Sequence, residues 1–270
     1  MRHVAGALGL VTLVACVDPA PPTAPAPAAP TVEEAVRALL MGGGGICDDD
    51  RGCAVGASPL ARGTCVLGTC FGLLTTDAPA ARAVLAERIA ALPKAVQDAA
   101  VSRMIEHLWR PTSMASVRQG SAEGLRAVAR RRGIEACGEA CDALARLRDE
   151  PDGALAAAGR HGLAEAGDDA ARAATIVDLQ QGSEHLRAAA ARALGVALRR
   201  GRDDAAALAL QAALEDRSPV LRRIAAEALA PHAADAGIAA SLAAARRRHP
   251  ADLGYVVDRG LAAQARAQEP

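Results

Sequence analysis

The chain has 270 residues with 31 basic and 31 acidic side chains, a balance that leaves no net field to draw it to nucleic acid or an acidic surface. One Trp, one Tyr and one Phe leave few rings for stacking bases or anchoring a partner, so the core must be built from alanine and leucine. Alanine is the best helix former but buries little area, so such helices must pack into a long continuous stack.

Met1-Arg2-His3 is a short basic start, followed by an apolar run from Val4 to Leu13. Ten apolar residues are too few for a membrane-spanning helix and read as the core of a secretory signal. Leu13-Val14-Ala15-Cys16 closes the run and resembles the lipobox of bacterial lipoproteins. That resemblance implies cleavage before Cys16, a diacylglycerol thioether on its sulfur and residence in the bacterial cell envelope. Residues 1–15 are then the signal peptide, and residues 16–30 are the lipid-anchor cysteine with a linker. The linker from Asp18 to Pro30 is dense in proline and alanine, which makes it an extended, semi-rigid spacer.

Residues 31–76 are expected to form a short helix and a Cys-rich loop. Thr31-Val32-Glu33-Glu34 is a capping box that opens a helix to Met41, and Gly42 to Gly45 end it. Cys47, Cys53, Cys65 and Cys70 follow, and Cys137 and Cys141 lie one helical turn apart further on. With Cys16 given to lipid, six cysteines remain, and an even number in an exported chain favours disulfides. The preferred pairing has two bridges within 47–70 and one between Cys137 and Cys141, although either of the latter could reach the loop instead. Four thiolates from Cys47 to Cys70 could hold zinc, but the knuckle spacing of zinc ribbons is missing. Asp48-Asp49-Asp50 lacks the glycine and glutamate of a calcium loop, so no metal and no cofactor is assigned.

Residues 77–266 read as a succession of helices, with breaks at Pro93, Arg110-Pro111, Gly133, Pro151, Gly167, Gly182, Gly201, Pro231 and Pro250. Two stretches repeat: Leu186-Arg187, Ala190-Ala191 and Leu194 match Leu221-Arg222, Ala225-Ala226 and Leu229, at an offset of 35 residues. A period of that size belongs to stacked helical repeats. Aliphatic residues eight apart recur as Val117/Leu125 and Leu155/Leu163, and in worn form from Ala81 to Ile89 and from Leu253 to Leu261, which makes about six units. Each unit has a leading helix, a short turn and a second helix, as in the run to Leu214, the turn at Glu215-Asp216-Arg217 and the cap Ser218-Pro219. Ser183, and Thr112-Ser113 before Met114, are expected to cap in the same way. Trp109 is expected to be a core or cap residue, and Arg130-Arg131-Arg132 and Arg246-Arg247-Arg248 to be solvated helix ends.

The run from Ala209 to Leu229 resembles the short HEAT repeat, particularly the HEAT-like type of phycobilin lyases. The resemblance is strongest around Arg187 and Arg222 and extends to Arg118. It implies an all-α solenoid whose concave face binds proteins. It also implies that the repeat arginines Arg118, Arg187 and Arg222 and the inter-helix Asp216 form a structural ladder. No Gly-x-Ser-x-Gly, His-Glu-x-x-His or phosphate loop is present, and Glu106-His107 and Glu184-His185, adjacent on a helix, point apart. The expectation is therefore a lipid-anchored binding scaffold or adaptor with an unknown protein partner, and not an enzyme. A lyase or ligand-binding protein using the concave face is the alternative.

Overall fold

The computed structural model describes residues 31–41, 64–66, 69–76, 79–201 and 203–267. Its helices are α1 (Val32–Met41), α2 (Pro79–Ala90), α3 (Lys94–Trp109), α4 (Ala115–Arg132), α5 (Glu139–Leu147), α6 (Gly153–Ala166), α7 (Asp169–Gln181), α8 (Glu184–Arg200), α9 (Asp204–Ala213), α10 (Pro219–Leu229), α11 (Ala236–Arg248) and α12 (Pro250–Ala267). The fold is an α-solenoid. The even-numbered helices pack one against the next from α2 to α12, and α3, α5, α7, α9 and α11 each lead into the second helix of their unit. All six aliphatic pairs of the repeat fall on the even-numbered helices, from Ala81 and Ile89 on α2 to Leu253 and Leu261 on α12.

The capping residues set where the helices begin. Asp152, Asp168, Ser183, Asp203, Ser218 and Asp235 each accept hydrogen bonds from the first free backbone N–H groups of α6 to α11. The capping box at Thr31 is present, with Thr31 N donating to Glu34 Oε2 at 2.8 Å. The start of α4 differs from expectation. Its N-cap is Met114 and no side chain caps it, because Ser113 is held in the preceding turn by its N–H bond to the Arg110 carbonyl at 3.0 Å.

The Cys-rich segment, expected as loop, contains two three-residue strands, β1 (Thr64–Val66) and β2 (Thr69–Phe71), paired antiparallel. Thr, Val and Phe suit a pleated strand. Just beyond, Leu73 and Leu74 donate backbone hydrogen bonds to the carbonyls of Leu39 and Leu40, both at 2.8 Å. These satisfy orphan carbonyls at the end of α1 and drive two fully buried leucines into the core. α4 accommodates the strap with Gly120, where an added Cβ would lie 2.6 Å from the Leu73 carbonyl oxygen. α1 packs on α3 and shares the apolar core of the first units through Val36, Leu39 and Leu40.

Two apolar clusters fill the interior, one from Val36 to Ala171 and one from Leu179 to Val257. The glycines of α6, unfavourable for a helix in isolation, allow close packing: a Cβ on Gly159 would meet the Leu144 carbonyl oxygen of α5 at 2.6 Å. Tertiary contact here overrides helix propensity.

Candidate binding face

The repeat arginines tie successive units together. Arg118 on α4 donates to Glu150 Oε2 at 2.9 Å and to the Leu108 carbonyl at 3.1 Å. Arg187 on α8 pairs with the Asp216 carboxylate in the turn before α10. Arg222 on α10 pairs with Asp252 at the start of α12 and donates to the Asp216 carbonyl at 2.7 Å. Asp216 also accepts from the Ser218 N–H at 2.8 Å, so it holds the arginine of one unit and the turn of the next. Ala156 interrupts the series on α6. One turn later Arg160 takes over, gripping Asp178 of α7 through two bonds of 3.0 and 3.1 Å.

A further polar row emerges when the second helices are aligned on their leading aliphatic residue. Six positions on stand Glu87, Glu123, His161, Arg192, Glu227 and Arg259, one per unit. Glu123 and His161 of this row face a groove of about 490 Å³ between α4, α6 and α8, lined also by Gln119 and Arg126 on α4, Leu155 on α6, and His185 and Ala189 on α8.

His161 is 1 % exposed, and its Nε2 lies 3.1 Å from Asp178 Oδ2. Burial, reinforced by the charge of Arg126, pushes its pKa down to about 4 against the pull of Asp178 and Glu165. The ring is therefore neutral at pH 7. Nε2–H donates to the carboxylate, which leaves Nδ1 as an acceptor. Burial also pushes the Glu123 carboxyl up, opposed by Arg82 at 3.3 Å and by Arg126.

The depressed His161 pKa has a consequence for stability. Unfolded, the imidazole takes up a proton near pH 6.5, whereas folded it does so only near pH 4. Between those values the unfolded state binds more protons, so the stability contributed by neutral His161 is complete above about pH 6.5 and is lost as pH falls toward 4. The expected loss is on the order of 3 kcal/mol. Urea melts of wild type and His161→Phe at pH 7 and pH 4.5 check this, since the variant should lose less stability over that interval.

Beneath the groove, Glu165 has a side chain only 3 % exposed and takes Arg126 at 2.5 Å and Arg130 at 3.0 Å. Arg130 also reaches Glu87 on α2. The first basic cluster differs from the expected solvated end, with Arg130 and Arg132 half-buried, whereas Arg246, Arg247 and Arg248 are exposed as expected, two of them paired at the surface. Arg132 binds Asp98 at 2.7 Å and Gln97 at 2.9 Å, Arg246 binds Asp258 at 2.8 Å and Arg248 binds Glu215 at 3.0 Å. The stack brings carboxylates of neighbouring helices to these helix ends, which sequence-local reasoning does not see. Trp109 is partly buried, with the Arg146 guanidinium 4.1 Å from its ring centroid.

Cys137 and Cys141 form a disulfide with a Cα–Cα distance of 5.5 Å, clipping the turn before α5 to its first helical residues. Cys65 and Cys70 stand directly opposite in the β1–β2 register. Cys16, Cys47 and Cys53 lie outside the described residues. Among the described residues no group of three His, Cys, Asp or Glu side chains could hold a metal ion, and no helix is long and apolar enough to cross a membrane.

No family model matches the chain, and no curated protein matches it in sequence. Among solved structures it is similar to an engineered protein, with a TM-score of 0.41 and 21 % identity over 70 % of this chain and 92 % of that one. It is also similar to human deoxyhypusine hydroxylase in complex with glycerol, with a TM-score of 0.37 and 19 % identity over 72 % of this chain and 82 % of that one.

Proposed function

We propose that this chain is a HEAT-like binding scaffold held at the bacterial cell envelope by lipid on Cys16, and that it works by docking a protein partner. The observation that carries the reading is the division of labour among its charges. Buried and half-buried arginines are spent on carboxylates of neighbouring units, which makes a stiff stack, while the second-helix layer leaves a groove between α4, α6 and α8 and, further along, Arg192, Glu227 and Arg259 exposed. Rigid presentation of such a face lowers the ordering cost of association. The Cys137–Cys141 bridge agrees with an oxidising compartment outside the cytosol.

Affinity purification of the detergent-solubilised protein from its own envelope, with mass spectrometry of what is retained, tests the scaffold reading. A reproducible protein partner supports it. A bound pigment or metabolite with no protein partner would replace it with the ligand-binding alternative, which the groove favours because its volume suits a small molecule. For the anchor, Cys16→Ser is expected to move the protein from the membrane fraction to the soluble fraction on ultracentrifugation. Continued sedimentation with membranes would place the anchor elsewhere.

A further inference from the structure

The charge that remains unpaired is not spread evenly over the second-helix layer. Near its start the polar row is already engaged, with Glu87 on Arg130, Glu123 on Arg82 and His161 on Asp178. In the last three units Arg192 on α8, Arg223 on α10 and Arg259 on α12 are exposed, and none has a partner among the described residues. This contrasts with Arg187 and Arg222 on the same helices, which are locked to Asp216 and Asp252.

The three arginines share one face. Arg192 and Arg259 occupy the row itself, and Arg223 lies one helical turn before the row position Glu227. Of the exposed acids nearby, Asp258 is taken by Arg246 and Glu184 accepts from the Ser218 hydroxyl, which leaves Glu227 as the acid of this face without a partner among the described residues. Apolar side chains stand beside the arginines: Val220 is 42 % exposed one turn before Arg223, and Tyr255, 75 % exposed, lies one turn before Arg259. Tyr255 is the only tyrosine of the chain. A solvated tyrosine next to unpaired guanidinium groups combines the two residue types that most often anchor protein partners.

The geometry points to this face of α8, α10 and α12 as a docking surface for an acidic protein segment carrying aromatic or aliphatic side chains between its carboxylates. The inference rests on the scaffold reading and names the chemistry of the partner. Planar guanidinium groups accept carboxylates in paired hydrogen bonds, and Tyr255 and Val220 offer apolar contact between them. The chain is neutral as a whole, so attraction comes from the segregation of free charge along the stack and not from net charge.

The test uses the purified full-length protein and a fluorescein-labelled peptide in which glutamate alternates with leucine and phenylalanine, beside its lysine-for-glutamate counterpart. Anisotropy is expected to show binding of the acidic peptide alone, weakened by added salt. The combined variant Arg192→Ala, Arg223→Ala, Arg259→Ala should weaken it about tenfold or more. Arg217→Ala, an exposed arginine in the turn before α10, should leave it unchanged. None of the three replaced arginines holds a structural contact, so the variant should melt like wild type. Equal binding of the two peptides, no binding of the acidic one, or an unaffected triple variant overturns the proposal. So does arginine-dependent binding to vesicles of anionic phospholipid with none to the peptide. If envelope proteins are retained equally by wild type and triple variant, the scaffold stands and this face falls. If no protein is retained at all, the scaffold reading falls.

Discussion

Leu194→Asp is expected to unfold the second half of the stack while leaving the first half folded. Leu194 is 0 % exposed on α8, within the apolar cluster that runs from Leu179 to Val257. A carboxylate there has no cation to meet it and must either ionise in apolar surroundings or remain protonated at a cost. The expected destabilisation is about 4 kcal/mol or more, at the upper end for single substitutions. Stability in a repeat stack is approximately a sum of local and nearest-neighbour terms, so the loss need not reach the separate cluster from Val36 to Ala171. A calorimetric scan should show a two-step melt in place of the wild-type profile, with the lower step depressed. Leu208→Asp is the control: that leucine is 65 % exposed on α9, and its variant should melt within about 2 °C of wild type. A Leu194→Asp protein that melts like wild type would remove Leu194 from the core.

Glu165→Ala should produce the second-largest loss. The carboxylate is nearly fully buried and holds Arg126 and Arg130, which extends the link from α6 through α4 to Glu87 on α2. Removing one member of a buried ion cluster leaves the others desolvated without a counter-charge. The two arginines are partly exposed and can recover some hydration, so the expected cost is about 2–3 kcal/mol, below that of a fully buried pair. Urea unfolding measures it. Glu165→Gln should recover part of the loss, because the amide oxygen still accepts a hydrogen bond. Equal stability of Glu165→Ala and wild type would show that the cluster contributes nothing to folding.

The second helices were legible in the sequence because each carries an aliphatic residue and another eight positions on, and residues at that spacing share a helical face. The leading helices were harder to place. In an Ala-rich helix almost any face can be buried, so α7 shows little contrast between inner and outer sides. The arginine ladder was legible through the resemblance, since Asp216 and Arg222 stand in the matching run and Arg187 in its copy 35 residues earlier. Its interruption was visible at Ala156, but the substitute bond from Arg160 to Asp178 depends on how α6 sits on α7. Glu165 left one trace, an acid set between alanines near the end of α6; its arginines lie over thirty residues earlier and only stacking brings them near. Nothing in the sequence marked Leu73 and Leu74 as the strap that joins α1 to α4, because a two-residue apolar step in a Cys-rich segment has no period to read. The six-position row became visible only when the helices were superposed as neighbours.

The central claim is that the second-helix layer receives a protein. A photo-cross-linking side chain placed at Ala189, in the groove on α8, compared with one at Val177, exposed on the leading helix α7, tests it in living cells. A discrete protein adduct from position 189, absent from position 177, is the predicted result. Adducts of the same pattern from both positions, or a protein adduct from position 177 alone, would contradict it.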